Sequence, residues 1–96
     1  MKVYYVYILA SQRNGTLYVG MTGSLLRRVN QHRDGQGSGF TKRYGVRRLV
    51  HYETFRHVGD AILREKQLKA WKRQWKLRLI EQENPHWRDL YDDLVG

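Results

Sequence analysis

Arg28 and His32 stand four residues apart in a stretch with helical patterning, so their side chains are neighbours on one helix. A guanidinium beside an imidazole can hold a phosphate and move a proton. The same pair fits a plainer reading, in which Arg28 snorkels to solvent and His32 is a hydrogen-bonded residue at the core border. Glu65 poses a similar choice. It falls on an apolar stripe through Ala61, Leu68, Trp71, Trp75 and Leu79, four residues after the first and three before the second. A carboxylate facing the core is costly unless paired or bound to a cation, so Glu65 is either half of an ion pair or a metal ligand. Tyr4, Tyr5, Tyr7 and Tyr18 are good strand residues that need no chemical role. For a phenol of pKa about 10 to act as a base near neutral pH takes about 4 kcal/mol of nearby positive charge, part of which Arg28 or a bound cation could supply. Otherwise the phenol stays neutral and positions a water.

These residues must be carried by short elements. Residues 3–10 are rich in β-branched and aromatic side chains and read as a strand, and residues 16–20 as a second. Between them Asn14-Gly15 signals a two-residue hairpin turn, which pairs Arg13 with Thr16 and Ser11 with Tyr18. Alternation along the strands then puts Tyr7 and Tyr18 on one face. Gly23-Ser24 caps a helix over residues 25–33. Residues 34–42 hold Gly35, Gly37 and Gly39 and read as a flexible loop; lacking a strand before and a helix after, they make a weak phosphate cradle. Residues 48–55 are a third strand and residues 58–80 a long helical stretch, broken near its end. Asn84-Pro85 forces a break before a short helix over 86–94. The order β-β-α-β-α-α implies an α+β fold, a small three-stranded antiparallel sheet flanked by helices. Trp71, Trp75 and Trp87 are assigned to packing.

Charge is divided along the chain. Residues 1–80 hold 17 Lys and Arg against four acids, a net of +13, whereas residues 81–96 hold five acids against Arg88, a net of −4. So basic a body predicts a polyanionic partner, with the acidic end packing on it. There are no cysteines, which excludes disulfides and thiolate metal sites and fits a cytoplasmic location. The opening apolar run is short, holds three tyrosines and lacks a cleavage pattern, so it is not read as a signal peptide. No segment approaches the roughly 20 apolar residues of a membrane span.

The same residues, taken in order, resemble the GIY-YIG nucleases. Tyr5-Val6-Tyr7 stands at the first signature, without its glycine and isoleucine, and Tyr18-Val19-Gly20 is close to the second, eleven residues on. Arg28 follows Gly20 by eight residues and matches the family's catalytic arginine; His32 occupies a position that is often His or Tyr. Glu65 matches the metal-binding glutamate. Tyr18-Val19-Gly20-Met21-Thr22, Arg27-Arg28, His32 and Leu49-Val50-His51-Tyr52-Glu53 look most like the short stand-alone bacterial members. Met21 stands where some members carry lysine, and Asn84 is a poor candidate for the family's late asparagine. The resemblance implies a nuclease domain over residues 1–83 with an acidic helical extension over 84–96. It implies a metal-dependent endonuclease acting on DNA, structure- rather than sequence-directed, with RNA not excluded and no nucleotide cofactor. Tyr7, Tyr18, Arg28, His32 and Glu65 would be catalytic, with Mg²⁺ or Mn²⁺ on Glu65, since magnesium commonly uses one or two carboxylates plus substrate phosphate. The absence of an acidic cluster speaks against two metals. Arg27, Lys42, Arg43, Arg47 and Arg48 would grip the nucleic-acid backbone, while Tyr5, Val6, Val19 and Gly20 shape the motif. The competing expectations are a non-catalytic nucleic-acid-binding module on this scaffold and a protein-interaction domain for an acidic partner.

Overall fold

The apolar run at residues 4–10 becomes the middle strand of the sheet. A computed structural model describes residues 2–95. In it β1 (Tyr4–Ala10) pairs antiparallel with β2 (Leu17–Thr22) on one side and β3 (Arg48–Phe55) on the other, in the order β2-β1-β3. A middle strand with helices on both sides is covered twice, which is why Val6, Tyr7, Ile8, Leu9 and Ala10 are all buried and the sequence shows a run, not an alternation. Val6, Ile8 and Ala10 join Val19 and Val50 in a core with Ala61, Leu68, Ile80 and Trp87. Tyr7 and Leu9 join Leu25, Val29, Val46 and Leu49 in the other.

The helices are α1 (Leu25–Arg33), α2 (Gly39–Tyr44), α3 (Val58–Ala70), α4 (Arg73–Glu83) and α5 (Tyr91–Val95). The α+β class and the β-β-α-β-α-α order of the main elements are those expected from sequence. Several local features differ. Leu9, not Ser11, pairs with Tyr18, because the β1–β2 loop spans residues 12–15. The Ser11 amide donates to the Thr16 carbonyl at 3.0 Å, the Gly15 amide donates to the Gln12 carbonyl at 2.9 Å, and only Asn14 takes a positive φ, 58°. The register is displaced by two residues, one full strand period, so Tyr7 and Tyr18 still share a face. The supposed loop over 34–42 contains the start of α2. Ser38 Oγ accepts from the Thr41 amide at 3.2 Å to open that helix, and Gly45 closes it in the left-handed region at φ 64°. The helical stretch over 58–80 breaks at Trp71 and Lys72, where ψ becomes extended, and resumes as far as Glu83. That bend lets Leu68 and Ile80 enter the same core.

The last segment is pinned rather than merely helical, which is why α5 is shorter than the predicted 86–94. Asn84 is buried, and its Nδ2 donates to the carbonyls of Val50 (3.2 Å) and Arg88 (2.8 Å) while its Oδ1 accepts from the Arg88 amide (2.9 Å). Trp87 is fully buried at a positive φ of 56°, a conformation a bulky residue holds only when its surroundings fix it. Its indole donates to Glu81 Oε2 at 2.9 Å. Beyond it, Asp89 Oδ1 accepts from the Leu49 amide (3.2 Å) and the Leu90 amide donates to the Leu49 carbonyl (2.7 Å), beside the β-bulge that interrupts β1–β3 pairing. The outer edge of β3 is thereby capped where its ladder is irregular.

Asn84→Ala removes three hydrogen bonds from a buried site and is expected to cost about 2–3 kcal/mol. In a domain of this size that lowers Tm by roughly 10 °C or more. Denaturant unfolding should show the loss, with Asp93→Asn, a change in an exposed ion pair, leaving the midpoint in place. An unmoved midpoint for Asn84→Ala would mean that Trp87 alone holds the segment.

Candidate active site

Tyr7 projects from β1 towards α1, 2% exposed, and its ring lies across the backbone of its β2 register partner, Gly20. A Cβ at position 20 would stand 2.5 Å from both the ring carbon and the oxygen of the Tyr7 phenol, so the glycine vacates the space that the phenol fills. The hydroxyl lies 3.1 Å from Nε2 of His32, a buried residue of α1. His32 Nδ1 in turn lies 3.0 Å from Thr41 Oγ1, and the Thr41 hydroxyl spends its proton on the Ser38 carbonyl at 3.0 Å. The directions of all three bonds follow. Thr41 has only a lone pair to offer, so Nδ1 carries the imidazole proton, and Nε2 accepts from the Tyr7 hydroxyl. Gly37 passes so close to the imidazole that any side chain there would collide with it.

The electrostatics favour neutral partners. Burial pushes the Tyr7 phenol up, the Tyr18 and Glu65 side chains push the same way, and Arg28 opposes them. Burial, and then the charge of Arg28, holds His32 below the usual imidazole range. A neutral phenol therefore donates to a neutral imidazole near neutral pH.

Tyr18 is half-buried, with its ring centroid 6.4 Å from that of Tyr7 and 5.4 Å from that of His32. Arg28 is exposed one turn before His32 and lines a polar cleft with Lys2, Thr22, Ser24, Arg27 and Gln31. Ser24 stands at the N-cap of α1, but its side chain makes no cap bond; its amide instead donates to Thr22 Oγ1 at 3.0 Å. Glu65 is half-buried on α3, near enough for its charge to act on Tyr7, and its Oε2 pairs with Lys69 at 3.2 Å. Of the two sequence readings of Glu65, the ion pair is the one seen in the structure. A single hard carboxylate suits a divalent ion that draws its other ligands from water and phosphate. Among the described residues no group of three or more His, Asp or Glu side chains gathers to hold a metal.

The Glu65 helix is held by a network that sequence reading passed over. Glu53 of β3 accepts two hydrogen bonds from Arg64, at 2.7 and 3.0 Å, and lies 2.8 Å from Nε2 of buried His51. Burial would raise the Glu53 carboxyl, but the bonds from His51 and Arg64 and their charge outweigh it and bring the pKa down to about 2. Thr41 was also missed, since nothing in its sequence surroundings marks it. Gly37 had a signal in its repeated glycines, which read more naturally as flexibility. Among the basic residues, Arg27, Lys42, Arg43 and Arg47 are exposed. Arg48 is half-buried and donates to the Trp87 carbonyl at 3.0 Å. Trp75 is 45% exposed and packs edge-on against Trp71 at the surface, whereas Trp87 is wholly inside. Among the described residues no helix is long and apolar enough to cross a membrane.

Comparison with known proteins finds a matching family model and relatives. The model of the GIY-YIG catalytic domain matches residues 3–78. A UPF0213 protein of Staphylococcus saprophyticus is 35% identical over 82 residues, covering 85% of this chain and 99% of that protein. One from Staphylococcus aureus is 37% identical over the same shares. The solution NMR structure of a UPF0213 protein from Bacillus halodurans superposes with a TM-score of 0.57 at 30% identity, covering 91% of this chain and 92% of that one.

Two outcomes follow. Gly20→Ala should displace the Tyr7 ring and break its bond to His32, seen as an upfield-to-downfield change in the His32 imidazole resonances with the sheet retained; unchanged resonances would refute the packing account. The Glu53 carboxyl titrates lower in the folded chain than in the unfolded one, so its stabilisation is full above about pH 4.5 and fades as pH falls towards about 2. Glu53→Gln should flatten the acid limb of the stability–pH curve across that window, measured by urea midpoints.

Proposed function

The chain belongs to the family of GIY-YIG catalytic domains, and from that premise we propose that it is a metal-dependent endonuclease hydrolysing phosphodiester bonds in DNA. The observation that carries the reading is the buried Tyr7–His32–Thr41 chain, which adjoins Tyr18 and lies one helical turn from Arg28. It is a device for moving a proton. Tyr7 cannot act as a standing phenolate, because burial keeps its proton on. It acts as a base by taking a proton from the attacking water while its own passes to His32 Nε2. His32 can receive that proton because it starts neutral, and Thr41 keeps Nδ1–H directed away from Tyr7 throughout.

Tyr18 shares the face with Tyr7 and orients the water or a phosphate oxygen. Arg28 stabilises the charge that grows on the phosphate. Glu65 is the residue that would hold Mg²⁺ or Mn²⁺, which when bound supplies Lewis-acid stabilisation of a phosphate oxygen. Arg27, Lys42, Arg43 and Arg47 contact the flanking backbone, so binding weakens steeply with salt. The substrate is recognised by its shape rather than its sequence.

The test is cleavage of branched, single-stranded and duplex DNA by wild-type protein and Glu65→Ala with Mg²⁺, Mn²⁺ or EDTA. Wild-type cutting should require metal and be lost in Glu65→Ala, with DNA binding retained. His32→Ala should slow cutting about 10²- to 10⁴-fold. Full metal-dependent cutting by Glu65→Ala would sink the scheme, and DNA bound yet uncut on every substrate would make the chain a binding module.

A further inference from the structure

The short helix α2 turns one residue inward and two aromatics outward. Thr41 is buried against His32, while Phe40 and Tyr44 are 44% and 48% exposed. Burying such rings is ordinarily favourable, so two solvent-facing aromatics on one six-residue helix call for a reason. Their positions supply one. The Tyr18 ring lies 5.4 Å from His32 and 6.2 Å from Phe40, and Phe40 lies 4.9 Å from Tyr44, all centroid to centroid. Four rings thus step outward from the partner of the reacting phenol to the surface. The Phe40 plane is tilted only 31° from that of Tyr18.

The surroundings are cationic. The Arg43 guanidinium sits 5.5 Å from the Tyr44 centroid, Lys42 and Arg47 are exposed nearby in sequence, and residues 35–52 contain no acid. An aromatic row flanked by Lys and Arg suits a polyanion with flat faces, and suits poorly an apolar protein partner. In a continuous duplex the base faces are already stacked on one another, and reaching them costs unstacking; an unpaired strand offers them freely.

We propose that Phe40 and Tyr44 form a stacking platform for unpaired nucleobases of the strand being cut, so that the substrate class is DNA with single-stranded nucleotides beside the scissile bond. This rests on the nuclease reading and sharpens it. Stacking uses the π-face that every base possesses, so the platform selects for unpaired structure and tolerates any sequence. Arg43 and Lys42 hold the phosphates of the same nucleotides.

The test uses the full chain in EDTA, where binding is read without cutting. Fluorescence anisotropy compares a labelled duplex with the same duplex carrying an unpaired tail. Wild-type protein should bind the tailed DNA about 10-fold more tightly or better. Phe40→Ala with Tyr44→Ala should bring the tailed DNA down to the duplex value, and Phe40→Tyr, which keeps both rings, should retain the preference. No preference in the wild type, or an equal loss on both DNAs in the double variant, overturns the proposal. A second measurement needs no variant. A 5-iodouracil placed in the tail and irradiated with wild-type protein should cross-link to Phe40 or Tyr44; cross-links confined to other aromatics, such as Trp75, overturn it. Tail-preferring binding without cleavage under Mg²⁺ or Mn²⁺ would retain the platform and refute the nuclease, whereas metal-dependent cutting with no tail preference would do the reverse.

Discussion

The hydrogen bond from the Tyr7 hydroxyl to Nε2 of His32 sets the terms for everything around it. It joins the middle strand of the sheet to α1, inside a region where both groups are buried. A buried polar pair is tolerable only when each member is fully satisfied, so a third partner is required at Nδ1, and Thr41 meets that need. Supplying Thr41 requires a helical turn in what composition marks as a loop. Bringing the rings together requires bare backbone at Gly20 and Gly37. One glycine of the second signature is thus a matter of ring volume, not flexibility.

The other half of the site depends on a different set of forces. Glu65 belongs to a helix on the opposite side of the sheet, anchored by Ala61 and Leu68 in the core and by the Arg64 guanidinium on Glu53. Adjacent residues on one helix therefore divide the work. Arg64 ties the helix to β3, and Glu65 pairs with Lys69 one turn on. The low pKa of Glu53 is the electrostatic sign that this anchor stays ionised across the working pH range.

Much of this was legible in the sequence, and what was not has specific causes. The bounds of α1 and β3 followed from periodicity, composition and flanking signals, which the structure keeps. The shared face of Tyr7 and Tyr18 survived an error in the turn, because the loop differed by a whole strand period. Arg28 and His32 stood out beside an apolar face and Glu65 on an apolar stripe, and of the three His32 bonds the Tyr7 hydroxyl. Thr41 was invisible, since its importance lies in a contact nine residues away through a glycine-rich turn. The break at Trp71 had no glycine or proline to announce it and is imposed by the core that Leu68 and Ile80 share. Trp75 matched the apolar stripe only while the helix was assumed continuous.

The closure of β3 by Asp89 and Leu90, with Trp87 filling the core behind it, has a bearing on how the chain folds as it is made. All the residues of the Tyr7–His32–Thr41 chain are synthesised before any of these. A chain lacking the segment after Glu83 would carry an indole-sized void and an open β3 edge, the features that make intermediates associate wrongly. Arg48 and the Leu49 amide depend on that segment for their partners. The acidic segment thus acts as a latch on the sheet, and chains in which it is undocked would be those most exposed to aggregation.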